Sequence, residues 1–195
     1  KDSMKNDSVR GGRKISIPPT VLFSTIGRIE NVQQAVTMPF KQAGDVIYVL
    51  GATRDECGAS EFHRMLAAEQ STPEAVGGAV PKVDTDAALQ LYRAHNEAVS
   101  RGLLRSSHTP TVGGLAVAFS LAALGGDLGA EIDLAALTQV GKLATDALLF
   151  SESNSRFVVT CAPERATELE SVFAGLPCAR VGVVGGTRLK LGTAV

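Results

Sequence analysis

Aromatic side chains are scarce in this 195-residue chain, which has no Trp, two Tyr and seven Phe. Large rings therefore contribute little to any core. Ala, Val, Leu and Gly predominate instead, and hydrophobic residues make up 45% of the sequence. This composition is typical of helices that lie close to a sheet, and a chain of this length can bury a substantial core.

Cysteines are also few and widely separated. Cys57, Cys161 and Cys178 form neither a CxxC pair nor a Cys/His spacing suited to zinc. This pattern argues against a disulfide framework, and we expect a reduced, cytoplasmic protein. No apolar run approaches the roughly 20 residues that span a bilayer, so we predict no membrane segment.

The chain has no excess of charge of either sign. Nineteen basic residues against twenty acidic ones leave a net charge of −1. A broad nucleic-acid surface depends on many cations that neutralise phosphates, so we expect no nucleic-acid partner. The basic cluster of Arg10, Arg13 and Lys14 is local and typical of a solvated loop.

Strands and helices alternate through the second half. The continuous apolar run Val46–Leu50 predicts a buried strand. Asp84 or Thr85 can cap a helix that ends at Gly102. Further strands are predicted over 156–161 and 179–184, and further helices over 114–124 and 164–174. We therefore expect an α/β domain with a mixed sheet and packed helices.

The chain has no initiator Met and opens on Lys1-Asp2-Ser3-Met4-Lys5-Asn6-Asp7. This crowding of charged and amide side chains indicates a phosphate- or metal-facing loop cut from a larger domain, and a solvated tail is the alternative. Lys1 can meet a phosphate as a point charge, Asp2 is an oxygen ligand suited to Mg²⁺, and the Ser3 hydroxyl can donate to phosphate. The apolar run 21–29 predicts a strand whose free edge would favour a homodimer or aggregation.

A second candidate site is the pair Gly113-Gly114, between a predicted strand and an Ala-rich helix. Two glycines let a ligand approach the backbone, and the start of a helix favours a phosphate. A tight turn with close helix packing is the alternative.

The opening block, followed by Ile15-Ser16-Ile17-Pro18-Pro19-Thr20, resembles phosphoribosylformylglycinamidine synthase (FGAM synthase), in the second of its two domain pairs. The resemblance continues in order through Gly44-Asp45-Val46, Gly58-Ala59-Ser60-Glu61-Phe62, Gly113-Gly114-Leu115 and Leu149-Phe150-Ser151-Glu152. It implies that residues 1–35 are a remnant of an ATP-binding amino-terminal-type domain. Residues 36–195 would form an aminoimidazole ribonucleotide synthetase-like carboxy-terminal α/β domain.

The resemblance implies an ATP- and glutamine-dependent conversion of formylglycinamide ribonucleotide to formylglycinamidine ribonucleotide in purine biosynthesis. It implies ATP and Mg²⁺ as cofactors, with Asp2 as a metal ligand. It also implies a glutaminase domain or subunit, a small accessory subunit and the rest of the synthase chain as partners. Phosphate or nucleotide contacts are expected at Lys1, Asp2, Ser3, Gly113 and Gly114. We expect the isolated 195 residues to be inactive.

The chain departs from the family at one motif. Many members read His-Asp-x-Ser-Asp-Gly-Gly-Leu where this chain has Thr109 and Val112 in place of the two acids. His108 therefore lacks a neighbouring carboxylate, and we expect it to support the site rather than to catalyse. Relatives carry an acid at the end of the helix that precedes Glu152, which makes this residue a candidate for a similar role.

Two other hypotheses stay open. One is another enzyme of the same superfamily, such as aminoimidazole ribonucleotide synthetase or a thiamine-phosphate or selenophosphate enzyme. The other is a non-catalytic scaffold or dimerisation domain, which the loss of both acids favours. His95, on the apolar face of its helix, is predicted to be a core histidine, and no residue is identified as catalytic.

Overall fold

The computed structural model describes residues 2–4, 7–16, 20–71 and 77–192. The chain divides into two compact units, Lys1–Ala35 and Val36–Val195. We call them the amino-terminal unit and the α/β unit.

The amino-terminal unit contains two antiparallel strand pairs. Strand β1 (Asp2–Met4) pairs with β4 (Thr20–Leu22), and β2 (Asp7–Arg10) pairs with β3 (Arg13–Ser16). The turn between β2 and β3 consists of two glycines with positive φ, a geometry that suits a tight hairpin.

The strand predicted over 21–29 is wrong beyond Leu22. Residues 23–29 lie outside any strand, and β1 offers only three residues for pairing. The strand edge on which the expected homodimer or aggregation rested is therefore much shorter than the sequence pattern indicates.

The α/β unit is built on a six-stranded mixed sheet. Its strands are β5 (Val46–Leu50), β6 (Ser106–His108), β7 (Ala130–Asp133), β8 (Phe157–Cys161), β9 (Cys178–Val184) and β10 (Leu189–Gly192). Their order across the sheet is β10-β7-β9-β5-β8-β6, and every neighbouring pair is antiparallel except β10 and β7. The predicted α/β class with a mixed sheet is confirmed.

Five α-helices accompany this sheet in the described part of the unit. They are α1 (Glu61–Glu69), α2 (Thr85–Ser100), α3 (Gly114–Gly126), α4 (Thr145–Phe150) and α5 (Ala166–Val172). The predicted cap of α2 is confirmed, because the Asp84 carboxylate accepts a hydrogen bond from the Ala87 amide at 3.1 Å. No helix among the described residues combines the length and the apolar character needed to cross a membrane.

Strand β5 divides the core into two layers. Ile47 and Val49 belong to the cluster that contains residues of α3 and α4, whereas Val46, Tyr48 and Leu50 belong to the cluster that contains residues of α2 and α5. All five side chains are almost fully buried. Full burial of one such apolar side chain contributes about 1.5–3 kcal/mol, which explains why a short uninterrupted apolar run forms the central strand.

His95 is a packing residue, as predicted. Its Nε2 lies 2.8 Å from the Ser107 hydroxyl, and its ring stacks on Phe157 with centroids 4.2 Å apart. Burial lowers the pKa of His95. The neutral ring therefore joins α2 to β6 and β8.

Candidate functional site

Helices α1 and α3 begin at one shared carboxylate. Oε1 of Glu152, in the loop after α4, accepts hydrogen bonds from the Gly113 amide at 2.9 Å and from the Glu61 amide at 3.3 Å. The first amides of a helix have no partner within the helix and carry partial positive charge. One side chain thus satisfies two helix starts, and the structure brings together the predicted residues Gly113 and Glu152.

Gly114 is in close contact with the end of α4. Its φ is +63°, and a Cβ built there would lie 2.5 Å from the Ser151 carbonyl oxygen and 2.8 Å from that of Leu149. Its amide donates to the carbonyl of Thr111 at 3.1 Å. The glycine pair therefore forms a tight turn with close packing, and a phosphate at Gly113 would have to displace Glu152. A phosphate contact at Gly113 or Gly114 stays a prediction.

The other residues of this motif contribute little polar contact. His108 lies in β6 opposite Val158, and burial lowers the pKa of its ring, which favours the neutral form. Within the described residues its ring makes no hydrogen bond, either to Glu152 or to another side chain. Val112 is 60% exposed, so an apolar side chain reaches solvent at this position. The supporting role expected of His108 stays a prediction.

The predicted phosphate and metal contacts at the chain start fall on Lys1, Asp2 and Ser3. Lys1 lies outside the described residues, and Asp2 and Ser3 are described only as backbone in β1. Among the described residues no group of three or more His, Cys, Asp or Glu could hold a metal ion. The expected phosphate contacts of this segment and the metal-ligand role of Asp2 stay predictions.

A buried arginine organises the loop that carries Glu152. Arg156 is 1% exposed, and its guanidinium donates to the Ser153 carbonyl at 3.0 Å, to the Thr53 hydroxyl at 3.0 Å and to the Ser151 carbonyl at 2.5 Å. Burial lowers the pKa of Arg156 to about 10, which leaves it charged at neutral pH, while nearby Glu56 acts in the opposite direction. A buried cation needs such partners because desolvation costs several kcal/mol.

The same loop fixes the backbone after β5. The Ser151 hydroxyl donates to the Arg54 carbonyl at 2.7 Å, and the Arg54 amide donates to the Ser153 hydroxyl at 3.1 Å. Sequence reasoning missed Arg156, because an arginine at the start of a strand is normally exposed. The available signal was the run of serines before it, whose oxygens can satisfy a guanidinium.

Glu56 is a second buried charge that the sequence did not reveal. It is 6% exposed, and its Oε1 accepts from the Lys82 amide at 3.0 Å. Its Oε2 has no hydrogen-bond partner among the described residues. Glu56 and Arg156 therefore place opposite charges beneath the same loops.

Curated relatives named phosphoribosylformylglycinamidine synthase subunit PurL match nearly the whole chain. The protein from Synechocystis sp. is 36% identical over 187 residues, or 94% of this chain. Those from Beijerinckia indica and Alkaliphilus metalliredigens are 34% and 31% identical over 90% and 91% of it. The chain spans 23% of the length of each of these relatives.

Solved structures share the fold. Thermotoga maritima PurL in complex with FGAR superposes with a TM-score of 0.69 at 23% identity, over 83% of this chain and 27% of that one. Thiamine-monophosphate kinase from Stenotrophomonas maltophilia superposes with a TM-score of 0.54 at 19% identity, over 83% of this chain and 54% of that one. Residues 42–192 match the family described as AIR synthase related protein, C-terminal domain, and the chain belongs to this family.

Proposed function

We propose that this chain is part of an FGAM synthase and supplies a carboxy-terminal α/β domain of that enzyme. The observation that carries the proposal is 31–36% identity to curated PurL proteins over at least 90% of the chain. The whole enzyme would convert formylglycinamide ribonucleotide, with ATP and glutamine-derived ammonia, to formylglycinamidine ribonucleotide.

The two units would have different origins within such an enzyme. The amino-terminal unit, Lys1–Ala35, would be the last part of an ATP-binding domain, and the α/β unit would be the domain that follows it. The match to the carboxy-terminal domain family begins at residue 42, inside the α/β unit, which supports this division.

Within the enzyme, the α/β unit would act mainly as a rigid support. Three observations favour this role over direct chemistry. The Gly113 amide is engaged by Glu152, Gly114 is packed against the backbone of Ser151, and Val112 and Thr109 carry no acid. The isolated chain would therefore lack synthase activity. A scaffold role would then apply to this domain within the larger enzyme.

Cofactors and partners would belong to the whole enzyme. Solved T. maritima PurL structures are complexes with FGAR, ATP, ADP and AMPPCP, and another is PurLQS. By extension, ATP, Mg²⁺, a glutaminase and a small accessory subunit would assemble around the complete synthase. The free thiols of Cys57, Cys161 and Cys178 fit a reducing cytoplasm.

A domain replacement tests the proposal. The matching region of the Synechocystis PurL protein is replaced by this chain, and ammonia-dependent FGAM formation is measured. The hybrid should retain activity, because a support domain leaves the site residues of the rest of the enzyme unchanged. A hybrid that folds, as judged by circular dichroism and gel filtration, but forms no FGAM would contradict the proposal.

The isolated chain gives the complementary measurement. It should form no FGAM from the ribonucleotide, ATP and ammonium ions. FGAM formation by the chain alone would refute the support role. Phosphorylation of thiamine monophosphate by the chain would instead favour the other superfamily enzymes.

A further inference from the structure

A small cavity lies where β5 ends, and neither Glu152 nor Gly113 lines it. Its volume is about 60 Å³. A space of this size holds about two ordered waters. The residues that line it include Gly51, Arg54, Lys82, Ala87, Asn154 and Pro177.

The cavity exists because small residues surround it. Gly51 has φ +89°, and a Cβ built there would lie 2.2 Å from the Ser155 carbonyl oxygen, so only glycine fits. Ala87 and Ala88, from the first turns of α2, form part of the wall. Backbone and methyl groups thus leave a space that longer side chains would fill.

Two cations, Arg54 and Lys82, line this space. Within the described ranges, neither the Arg54 guanidinium nor the Lys82 ammonium forms a hydrogen bond or an ion pair. Asp84 also lines the cavity, but its Oδ1 caps α2 by accepting from the Ala87 amide at 3.1 Å. The lining therefore carries an excess of positive charge.

Buried polar groups hold the backbones of both cations. The Arg54 amide donates a hydrogen bond to the Ser153 hydroxyl, and the Arg54 carbonyl accepts one from the Ser151 hydroxyl. Both serines lie in the loop that Arg156 organises. The Lys82 amide is bonded to the buried carboxylate of Glu56. These hydrogen bonds fix two backbone segments, while the charged side chains of Arg54 and Lys82 remain unpaired within the described residues. Such support is what a pre-organised binding site requires.

We propose that this cavity binds a phosphate-type oxyanion, with Arg54 and Lys82 as its charged contacts. The Arg54 guanidinium can donate to two oxygens of one anion, and Lys82 adds a mobile point charge. The Asn154 side-chain amide, which also lines the cavity, supplies another donor. This site does not depend on the synthase proposal, because no residue of the Gly113–Glu152 contact takes part.

The test is a titration of the full chain followed by amide NMR at constant ionic strength. Inorganic phosphate is the probe, and acetate is the comparison anion. We expect saturable shifts for phosphate at the amides of Gly51, Ala87 and Asn154. Arg54→Gln and Lys82→Gln should each weaken phosphate binding about tenfold, the usual effect of losing a hydrogen bond to a charged group.

Arg93→Gln is the matched control. Arg93 is an exposed residue of α2 that does not line the cavity, so its replacement should leave the phosphate affinity unchanged. Arg54→Lys, which keeps the charge but loses the two-pronged donor, should bind phosphate more weakly than wild type and more tightly than Arg54→Gln. Non-saturable shifts, an equal loss in Arg93→Gln, or acetate binding as tight as phosphate binding would each overturn the site.

Discussion

The Glu152 carboxylate lies 2.9 Å from the Gly113 amide and occupies the position where a ligand anion would meet the start of α3. The same oxygen also accepts from the first amide of α1. A helix start that has its own carboxylate does not need a phosphate for stability. The contact with Glu152 gives the Gly113-Gly114 turn a structural role, whereas its sequence predicts a phosphate-binding role.

Replacement of Glu152 tests how much this contact contributes. Glu152→Ala leaves two helix-start amides without their acceptor and should lower the free energy of unfolding by about 1–2 kcal/mol, as loss of a helix cap does. Glu152→Gln keeps an acceptor oxygen but loses the charge, so its effect should be smaller. Urea unfolding followed by circular dichroism measures both.

The control for this pair is Glu69→Ala, at an exposed position near the end of α1. It should leave the free energy of unfolding nearly unchanged. If Glu152→Ala is as harmless as Glu69→Ala, the carboxylate does not hold the two helices.

Gly114 and Gly102 form a matched pair for the close approach of α3 to α4. Both have φ +63°, but a Cβ at Gly102 meets nothing within 4 Å, whereas one at Gly114 meets the Ser151 oxygen at 2.5 Å. Gly102→Ala should cost about 1–2 kcal/mol from backbone strain alone. Gly114→Ala should cost about 1–3 kcal/mol more, because the backbone must move. Equal losses in urea unfolding would contradict this account.

Much of the α/β unit could be predicted from local sequence. The run Val46–Leu50 is apolar at every position, and Asp84 is a favourable cap, so both features follow from short-range rules. The strand predicted over 21–29 failed because an apolar run does not reveal the length of its partner strand. Glu152 joins the starts of α1 and α3 to the loop after α4, three segments that are distant in sequence, so local rules could not predict its role. The burial of Arg156 likewise depends on contact with distant Thr53, although its other two partners are near it in the sequence.

Arg156 should be the most sensitive polar residue of the unit. Arg156→Met removes three donors and leaves buried Glu56 without its nearby opposite charge, so unfolding free energy should fall by about 3–5 kcal/mol. Arg156→Lys keeps the charge but not the planar fork, and its loss should be intermediate.

Arg93→Met, at an exposed position of α2, is the comparison variant and should have little effect. Thermal unfolding measures all three proteins. Equal melting temperatures for Arg156→Met and Arg93→Met would show that the buried network is dispensable.

Ala59 is a position where substitution should stabilise the protein. Its φ is +56°, a left-handed conformation that is unfavourable for any residue with a Cβ. Ala59→Gly should raise the free energy of unfolding by about 0.5–1 kcal/mol, since relief of strain exceeds the added entropy of the unfolded chain. Ala68→Gly, inside α1, should lower it by about 1 kcal/mol. Effects of the same sign in urea unfolding would argue against strain at Ala59.

Asp45 should make stability depend on pH in a direction opposite to that of most paired carboxylates. The side chain is 1% exposed, and its Oδ1 lies 3.1 Å from the Arg105 guanidinium, yet neither oxygen accepts a well-aligned hydrogen bond from the described residues. Burial raises the pKa of Asp45 above its ordinary value of 3.8, Arg105 opposes this shift, and Glu164 adds to it.

The folded carboxyl of Asp45 therefore holds its proton more tightly than the unfolded one. Its favourable contribution is fully present below pH 3.8 and is lost as pH rises through the raised pKa. Asp45→Asn removes this titration and leaves every other carboxylate in place. The unfolding free energy of the wild type minus that of Asp45→Asn should thus grow as pH falls from 7 toward 4, in urea titrations at matched ionic strength. A difference that shrinks as pH falls would mean that Arg105, rather than burial, has the larger effect on the pKa of Asp45.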